Sequence, residues 1–313
     1  MKLNEMLKIR YPFIQGGMAN IATGSFAAAV SNQGALGTIA AGGLDTEGLE
    51  REIAVCSSLT DKPFAVNLML MNPHADEMAQ MIAEKGVRIV TTGAGMPGKY
   101  MELWKAHGMK VFPVTSSLAM ALRMERQGAD AIIAEGTESG GHVGEMTTMA
   151  LVPQMCDGLK IPVIAAGGIA DGRQLAAAYA LGACGVQMGT CLLVAEECPI
   201  HESYKQALLD AKDNGTVVTG RIGGTPVRIL KNKMAREYVK REKEGADKME
   251  LERFTLGSLR RAVFEGDTQT GSLMAGQVSG QLHEKKPLAE IFADLEKEGN
   301  EVIAALQEGK QGK

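Results

Sequence analysis

The chain has 313 residues, of which 45% are hydrophobic and 22% charged, and its formal net charge is −4. This composition is ordinary for a globular protein with a large core, and it excludes a disordered chain. The small negative charge gives no electrostatic reason to expect nucleic acid or an anionic membrane as a partner. The length fits two domains, or one α/β barrel of ~250 residues that carries an insertion.

The five cysteines and residues 1–12 indicate the cellular compartment of the protein. The cysteines are odd in number, scattered and without a CxxC pair, which is typical of reduced core residues in a cytoplasmic protein. Residues 1–12 carry charges throughout and lack an apolar signal-peptide core. No later run approaches ~18 uninterrupted apolar residues. We therefore expect a cytoplasmic protein with no membrane span. The cysteines are Cys56, Cys156, Cys184, Cys191 and Cys198.

Short apolar runs alternate with amphipathic stretches along the first two thirds of the chain. Several stretches end in a glycine just before the next run, as helices with a C′ glycine do. Continuous apolarity indicates strands buried on both faces, as in a parallel sheet covered by helices. Eight such units predict the α/β class and a (β/α)8 TIM barrel rather than an open sheet. The glycines are Gly34, Gly86, Gly108, Gly128 and Gly182, and the predicted strands are 13–15, 36–40, 64–70, 88–92, 110–114, 131–134, 162–165 and 185–188.

The strand-helix rhythm stops after Cys198. We expect the barrel to occupy 1–198 and a lid or substrate-binding insertion to occupy 199–280, with a mixed-charge helical stretch between Lys231 and Arg253. The alternative is that 199–280 only pads the outside of the barrel. The segment 281–313 should form a C-terminal helix, at about 287–306, whose apolar face packs back on the barrel.

A glycine-rich loop follows the sixth predicted strand, at 135–145. Its glycines permit a close backbone approach to a ligand, and His142 is its single imidazole. The carboxyl ends of strands are where α/β folds bind ligands. The loop is therefore a candidate active site, although a flexible loop with a solvated histidine remains the alternative.

Two further loops fall where barrels commonly bind phosphate, after strands seven and eight. They carry Gly167, Gly168, Gly189 and Thr190, and each is expected to precede a helix whose amino end favours an anion. The alternative is that these glycines only make tight turns.

Asn67 interrupts the apolar third strand. A buried amide without hydrogen bonds costs ~1–3 kcal/mol, so Asn67 should face either a polar ligand at the strand end or a hydrogen-bond network inside the barrel.

Other motifs give little support for a different chemistry. Residues 93–98 match GxGxxG, but the acidic residue expected ~20 positions later in a dinucleotide site is missing. Ser139 near His142 lacks an orienting carboxylate at nucleophile-elbow spacing, which argues against a serine hydrolase. The five histidines are too scattered to predict a metal site.

These motifs together resemble the flavin-dependent enoyl-acyl-carrier-protein reductases of the FabK type, within the nitronate monooxygenase superfamily. The resemblance covers nearly the whole chain. The matching stretches are QGGMA at 15–19, KPFAVNLM at 62–69, TTGAG at 91–95, AEGTESGGH at 134–142, IPVIAAGGIADG at 161–172, VQMGT at 186–190, VTGR at 218–221, LKNK at 230–233 and GSLMAGQ at 271–277.

The resemblance implies bound FMN that is reduced by NADH or NADPH and passes hydride to the β-carbon of an enoyl thioester. His142 corresponds to the active-site histidine, which could stabilise the enolate and supply a proton. The substrate would be enoyl-acyl carrier protein or enoyl-CoA, the assembly a homodimer, and a monovalent cation an optional further cofactor. The residues implied around FMN are Gly17, Met18, Asn67, Glu135, Gly140, Gly141, Gly167, Gly168, Gly189, Thr190 and Gln277.

Two positions depart from the family pattern. Cys191 stands where many relatives have an arginine, and Asn20 replaces a common tryptophan. The first could remove a phosphate or substrate contact, and the second could widen the substrate channel.

Three functions stay open: enoyl-thioester reduction, nitronate oxidation and flavin binding without turnover. The role of one basic surface also stays open. Nitronate oxidation is the alternative within the superfamily, and a flavin-binding protein without turnover is the alternative outside it. His142 argues against the last, because a binder needs no titratable group over its ligand. A basic lid face formed by Lys231, Lys233, Arg236, Lys240 and Arg241 could dock an acidic carrier protein, or could be an ordinary solvated helix, since glutamates lie in the same stretch.

Overall fold

The computed structural model describes residues 2–223 and 225–309. Eight parallel strands form one sheet in the order β1-β9-β8-β6-β5-β4-β3-β2. A parallel bridge between Ile14 and Leu36 joins the two ends of this sheet and closes it. The molecule is thus a (β/α)8 barrel, and the predicted fold class is confirmed. Each of the eight predicted strands is present, with bounds that differ from the prediction by one residue at most.

The elements are as follows in chain order. The barrel strands are β1 (Phe13–Gln15), β2 (Gly37–Ala40), β3 (Phe64–Met69), β4 (Ile89–Gly93), β5 (Lys110–Thr115), β6 (Ile132–Glu135), β8 (Val163–Ala166) and β9 (Gly185–Met188), and the remaining strands are β7 (Gly141–His142), β10 (Thr216–Thr219) and β11 (Val227–Leu230). The helices are α1 (Leu3–Leu7), α2 (Gly24–Asn32), α3 (Thr46–Leu59), α4 (Ala75–Glu84), α5 (Met101–Ala106), α6 (Leu118–Arg126), α7 (Thr148–Gly158), α8 (Gly172–Ala180), α9 (Glu202–Leu209), α10 (Lys233–Lys243), α11 (Lys248–Thr255), α12 (Ser258–Arg260) and α13 (Leu288–Gln307). Short 3-10 helices lie at Pro97–Tyr100, Thr190–Val194 and Gln277–Gln281, and a π-helix lies at Arg261–Glu265.

The five glycines that were expected to end helices take left-handed backbone angles. Their φ values range from 68° to 100°. Glycine adopts this region without the steric cost that a Cβ imposes, which is why it stops a helix and releases the chain into the next strand.

The interior of the barrel changes from apolar to polar along the strands. Ile14, Leu36 and Phe112 belong to one buried cluster, and α1 contributes to it from the amino end of the barrel. Asn67 and Thr91 lie two residues beyond the interior residues Ala65 and Ile89, so they face the same interior. The polar layer therefore lies at the carboxyl ends of the strands, where a barrel binds its ligand.

The insertion builds a small sheet over this face. β10 and β11 form an antiparallel hairpin, and β11 also pairs with β7, which belongs to the glycine-rich loop. α10 packs on this sheet through a cluster centred on Ile229, Met234 and Ala235. The predicted helical stretch from Lys231 to Arg253 is two helices, because Gly245 takes a left-handed φ of 90° between them.

The remaining C-terminal elements pack on the barrel. Tyr204 and Leu208 of α9 lie in the main core, so part of the predicted insertion belongs to the barrel's outer layer. α13 packs against α8, where Gly299 fits beside Leu175. In the described part of the chain, no helix combines the length and apolarity that crossing a membrane requires.

Candidate active site

The glycine-rich loop after β6 is tied down at both ends. The Glu138 carboxylate accepts hydrogen bonds from the backbone N–H and the hydroxyl of Thr148, the first residue of α7. The same hydroxyl lies 2.9 Å from the carbonyl oxygen of Gly167, to which it can donate. Glu138 thus caps α7 and holds the loop against the end of β8. These hydrogen bonds give the loop defined contacts with α7 and with the end of β8.

The glycines of four segments meet closely around this point, and we call this region the cradle: 135–141, 167–168, 189–190 and 275–277. A Cβ placed on Gly140 would lie 2.7 Å from the backbone of Ala275. Gly276 donates its N–H to Thr190 Oγ1 at 2.9 Å, and Gln277 donates its N–H to the Glu138 carbonyl. Because the backbones touch, side chains larger than hydrogen do not fit at Gly140 and Gly276.

Several backbone amides of the cradle have no protein partner. Among residues 2–223 and 225–309, the N–H groups of Gly167, Gly168, Gly189 and Thr190 form no backbone hydrogen bond outside the regular elements. Gly167 and Gly168 both take left-handed φ values, 91° and 75°. Unpaired amides converging at the ends of adjacent strands suit an anion such as a phosphate.

Of the two helix amino ends that were expected beside this phosphate, that of α8 is not available. The first amides of α8 are already occupied: Arg173 and Gln174 donate to the Asp171 carboxylate, and Gly172 donates to Glu298. The segment after β9 is a 3-10 helix of five residues, not an α-helix. The groups available to an anion are therefore loop amides together with the N–H of Thr190, the first residue of this 3-10 helix.

Residues at the ends of β1, β3 and β4 also lie at the barrel mouth, where β1 is the direct neighbour of β9. The Asn67 side-chain amide donates to Thr91 Oγ1 at 2.8 Å, so an internal hydrogen bond accounts for one of its polar atoms. A Cβ on Gly17 would overlap the Asn67 side chain, and one on Gly189 would lie 3.3 Å from Met18 Sδ. The predicted residues Gly17, Met18 and Asn67 are thereby brought together, with Met18 linking them to the cradle.

Glu135 ends β6 and is partly buried. Desolvation raises the pKa of this carboxyl to about 7, and the nearby Ser139 hydroxyl offsets the effect only in part. Glu135 can therefore exist protonated or ionised near neutral pH, which an exposed glutamate cannot.

His142 lies on β7, beside Val227 of the lid sheet. Its side chain is solvent-accessible, but it faces a cavity rather than open solvent. Desolvation by the cavity walls lowers the pKa of the imidazole, so the neutral form predominates near pH 7. A neutral imidazole carries one N–H that can donate a hydrogen bond.

The cavity in front of His142 has a volume of about 360 Å³. The lid supplies most of its wall, and Asn20 contributes from the barrel side with a left-handed φ of 62°. Much of the lining is apolar: Val227, Ile229, Met234, Leu251, Leu259 and Met274. Met274 also lies 3.5 Å from the Cβ position of Gly141, so the cavity adjoins the cradle.

Two residues at the site were missed from the sequence. Arg228 of β11 is buried, and its guanidinium donates to the Thr137 carbonyl through Nε at 3.1 Å and Nη2 at 2.9 Å. Desolvation lowers the pKa of Arg228, and Arg221 adds to this effect, while Glu138 opposes it. Glu138 itself was treated only as part of the loop. Nothing local in the sequence pairs position 228 with position 137, because their contact is made by the fold.

The remaining sequence features are placed as follows. Gln277 begins a 3-10 helix with its side chain exposed. Cys191 is buried, and desolvation raises the pKa of its thiol to about 12, so it offers no charge in place of an arginine. The GxGxxG match lies between β4 and α5 as an ordinary barrel loop. No group of three or more His, Cys, Asp or Glu side chains placed to hold a metal occurs among the described residues.

With this geometry in place, the family is identified by comparison with known proteins. The nitronate monooxygenase family model matches residues 1–298, and the chain belongs to this family. Membership implies a flavin-dependent oxidoreductase. The unpaired amides fit the phosphate of FMN. The glycines of the cradle would let the ribityl chain of FMN lie close to the backbone.

Two solved structures and one further relative are similar to this chain over nearly its whole length. The structure of FabK from Thermotoga maritima matches with a TM-score of 0.95 and 46% identity, over 97% of each chain. A nitroalkane oxidase from Streptomyces ansochromogenes matches with a TM-score of 0.87 and 28% identity, over 97% of this chain and 99% of that one. A probable nitronate monooxygenase from Staphylococcus saprophyticus is 33% identical, over 96% of this chain and 98% of the relative.

Proposed function

We propose that this protein reduces the 2,3 double bond of trans-2-enoyl thioesters carried on acyl carrier protein, using FMN and NADH or NADPH. The observation that carries the proposal is His142 in the wall of a largely apolar cavity of about 360 Å³ that adjoins the cradle. The cavity is within the size range of sites for ligands larger than a small nitronate. The 46% identity to FabK supports the same choice.

FMN, when bound, supplies hydride transfer from NADH or NADPH to the β-carbon of the enoyl group. The residues that would hold it are the free amides of Gly167, Gly168, Gly189 and Thr190 at its phosphate, with Gly17, Met18, Asn67, Glu135, Gly140, Gly141 and Gln277 around the rest.

His142 acts on the thioester carbonyl. Addition of hydride to the β-carbon moves negative charge onto the carbonyl oxygen, and the N–H of a neutral imidazole stabilises that charge by a hydrogen bond. The α-carbon of the enolate then takes up a proton. The minor protonated form of His142, which its lowered pKa makes a stronger acid than an ordinary imidazolium, can supply that proton and return to the neutral form.

The lid binds the acyl chain. Ile229, Met234 and Leu251 offer apolar surface to the hydrocarbon and exclude water from the reacting carbons. Glu135, with its pKa of about 7, lies on the barrel side of the site, where either protonation state is accessible.

Nitronate oxidation is the second candidate function. It is supported by the similarity to the probable nitronate monooxygenase from Staphylococcus saprophyticus and to the nitroalkane oxidase from Streptomyces ansochromogenes. In this reaction reduced flavin meets oxygen and no pyridine nucleotide is required.

The test is anaerobic. Purified protein is reduced with NADH or NADPH, and flavin absorbance is followed while a crotonyl thioester is added. Prompt reoxidation without oxygen is the expected result. Failure of both nucleotides to reduce the flavin, together with rapid reduction by an alkyl nitronate, would replace the proposal with nitronate oxidation. Protein purified without flavin, and unable to bind added FMN, would remove both. The homodimer, the cytoplasmic location and the monovalent cation stay predictions.

A further inference from the structure

We infer that the outer face of α10 is the docking surface for the acidic carrier protein that delivers the enoyl thioester. This inference rests on the proposed function, and it assigns to that function a surface outside the cavity. We call the surface the basic stripe and define it as Lys233, Arg236, Lys240 and Lys243.

Charge is strongly segregated along the chain. Residues 221–261 hold twelve of its 33 Lys and Arg but only six of its 37 Asp and Glu. This segment therefore has a formal charge of +6 within a protein whose net charge is −4. Local charge of one sign, rather than net charge, is what steers a charged partner to one face.

The structure shows that the cations of α10 share one side. The four stripe residues are spaced by three, four and three positions, which places them within an arc of about 80° on a helix. All four are exposed. The opposite side is buried through Met234 and Ala235, so the helix is fixed with the basic stripe facing outward.

Most of the stripe lacks a compensating carboxylate. Within the described residues, no carboxylate lies within 4.0 Å of Lys233, Arg236 or Lys243, and Lys240 reaches Glu244 only at 4.0 Å. Glu237, the acid that could neutralise the stripe, is held by Arg241 at 2.8 Å. The hydrogen bond with Arg241 is the main cause of the lowered pKa of Glu237, and Lys240 and Lys233 lower this pKa slightly further. The glutamates noted in the sequence therefore do not turn this side into a mixed-charge surface.

The position of α10 connects the stripe to the reaction. Met234 and Tyr238, on the inner side of the same helix, line the cavity in front of His142. An acyl group on a long flexible arm can enter this cavity while its carrier rests on the outside of the helix. The partner that fits is an acidic protein, because an exposed positive stripe beside the substrate cavity attracts it and a neutral thioester gains nothing from it.

The experiment compares three crotonyl thioesters: one on an acidic acyl carrier protein, one on coenzyme A and one on uncharged N-acetylcysteamine. The variant is Lys233→Glu with Arg236→Glu. The matched control is Arg123→Glu with Arg126→Glu, an exposed pair of the same spacing on α6. Flavin content and thermal midpoint are measured for each protein to establish that it is folded and loaded.

We expect kcat/KM with the carrier substrate to fall at least ~10-fold in the stripe variant, through KM, and the wild-type value to fall with rising salt. The N-acetylcysteamine substrate and the control variant should change less than ~2-fold. An equal loss with coenzyme A would identify the stripe as a phosphate site and overturn carrier docking, as would an unchanged carrier KM.

Direct binding separates this inference from the proposed function. Fluorescently labelled carrier protein is titrated with wild-type and variant protein in the absence of turnover. Weaker binding by the stripe variant supports docking on α10 even where no thioester is reduced, in which case the proposed function alone fails. Equal binding by both proteins overturns the docking inference whatever the activity.

Discussion

The cradle and the lid meet where Met274 of the cavity wall lies beside Gly141, but they are built on different principles. The cradle is made of backbone: Gly140 and Gly276 lie so close to neighbouring main chain that a single added carbon would collide with it. The lid is made of side chains, a small cluster around Ile229 and Met234 under two short helices. A backbone site tolerates almost no change, whereas a side-chain wall can be altered residue by residue. We therefore expect cofactor binding to be sensitive to substitutions in the cradle and substrate preference to be sensitive to substitutions in the lid.

The largest effect should come from the cradle. Gly189→Asp would place its Cβ 3.3 Å from Met18 Sδ and add a carboxylate beside the amides proposed to hold the phosphate. An uncompensated charge of this kind costs ~3–5 kcal/mol, which corresponds to at least ~100-fold weaker FMN binding. The measurement is flavin content on purification and a titration of the stripped protein with FMN.

The control for this substitution is Gly93→Ala, at the end of β4. A Cβ there meets no atom within 4 Å, and the position does not need a left-handed φ. It should retain flavin. If Gly189→Asp binds FMN as the wild type does, the phosphate lies elsewhere and the cradle has another purpose.

The next effect concerns His142, which belongs to the cradle's loop by sequence and to the lid sheet by pairing. His142→Ala should keep flavin and its reduction by NAD(P)H but lower enoyl-dependent turnover by ~100-fold, a typical acid-base contribution. Rapid-mixing absorbance separates the two half-reactions. His107→Ala, at the C-cap of the outer helix α5, is the control and should leave both unchanged. Normal turnover in the His142 variant would remove its assigned role.

A smaller, local effect should mark the lid as a separate cooperative unit. Met234→Ala removes a buried side chain from the lid cluster, at a cost of about 2 kcal/mol, the low end of the usual range because the cluster is small. Hydrogen exchange should quicken in β10, β11 and α10 but not in the barrel strands.

Met124→Ala, in the main core, provides the comparison for the lid variant. It should lower protection throughout the barrel and reduce the thermal midpoint of the whole protein. If both substitutions quicken exchange everywhere, lid and barrel unfold together, and the lid cannot be tuned independently.

The same contrast explains what could be predicted from sequence. Barrel strands repeat a local pattern, an apolar run after a C′ glycine, so each unit can be recognised from its own residues. Glycines at strand ends likewise indicated the cradle, because a close backbone contact demands glycine wherever it occurs. The family membership rests on the same stretches and is confirmed.

The lid was only outlined, because its contacts are long-range. β7 has two residues and forms only because β11 lies beside it. The bond from Arg228 to the Thr137 carbonyl joins positions 91 residues apart, and no pattern near either residue encodes it. The amino end of α8 could not be assessed from sequence for a related reason: its amides are occupied by Asp171, which is adjacent in the chain, and by Glu298, which is distant.

The smallest effect should come from Glu135, and it depends on pH. Desolvation moves the two ionisable groups of the site in opposite directions, raising the pKa of Glu135 to about 7 and lowering that of His142, so that both tend toward their neutral forms near pH 7. Because the folded protein holds the Glu135 proton more tightly than the unfolded chain, this residue contributes most stability below pH 4.5. The contribution is lost as the pH rises through about 7. Glu135→Gln removes this titration.

In flavin-free protein, Glu135→Gln should therefore be more stable than the wild type at pH 8, by ~1–3 kcal/mol, and nearly equal to it at pH 5. Urea denaturation at the two pH values measures the difference, with the exposed Glu265→Gln as control. A constant difference at both pH values would mean that Glu135 stays ionised throughout. Glu135 would then be a solvated residue of the barrel mouth. The cradle would not include it and would begin only after β6.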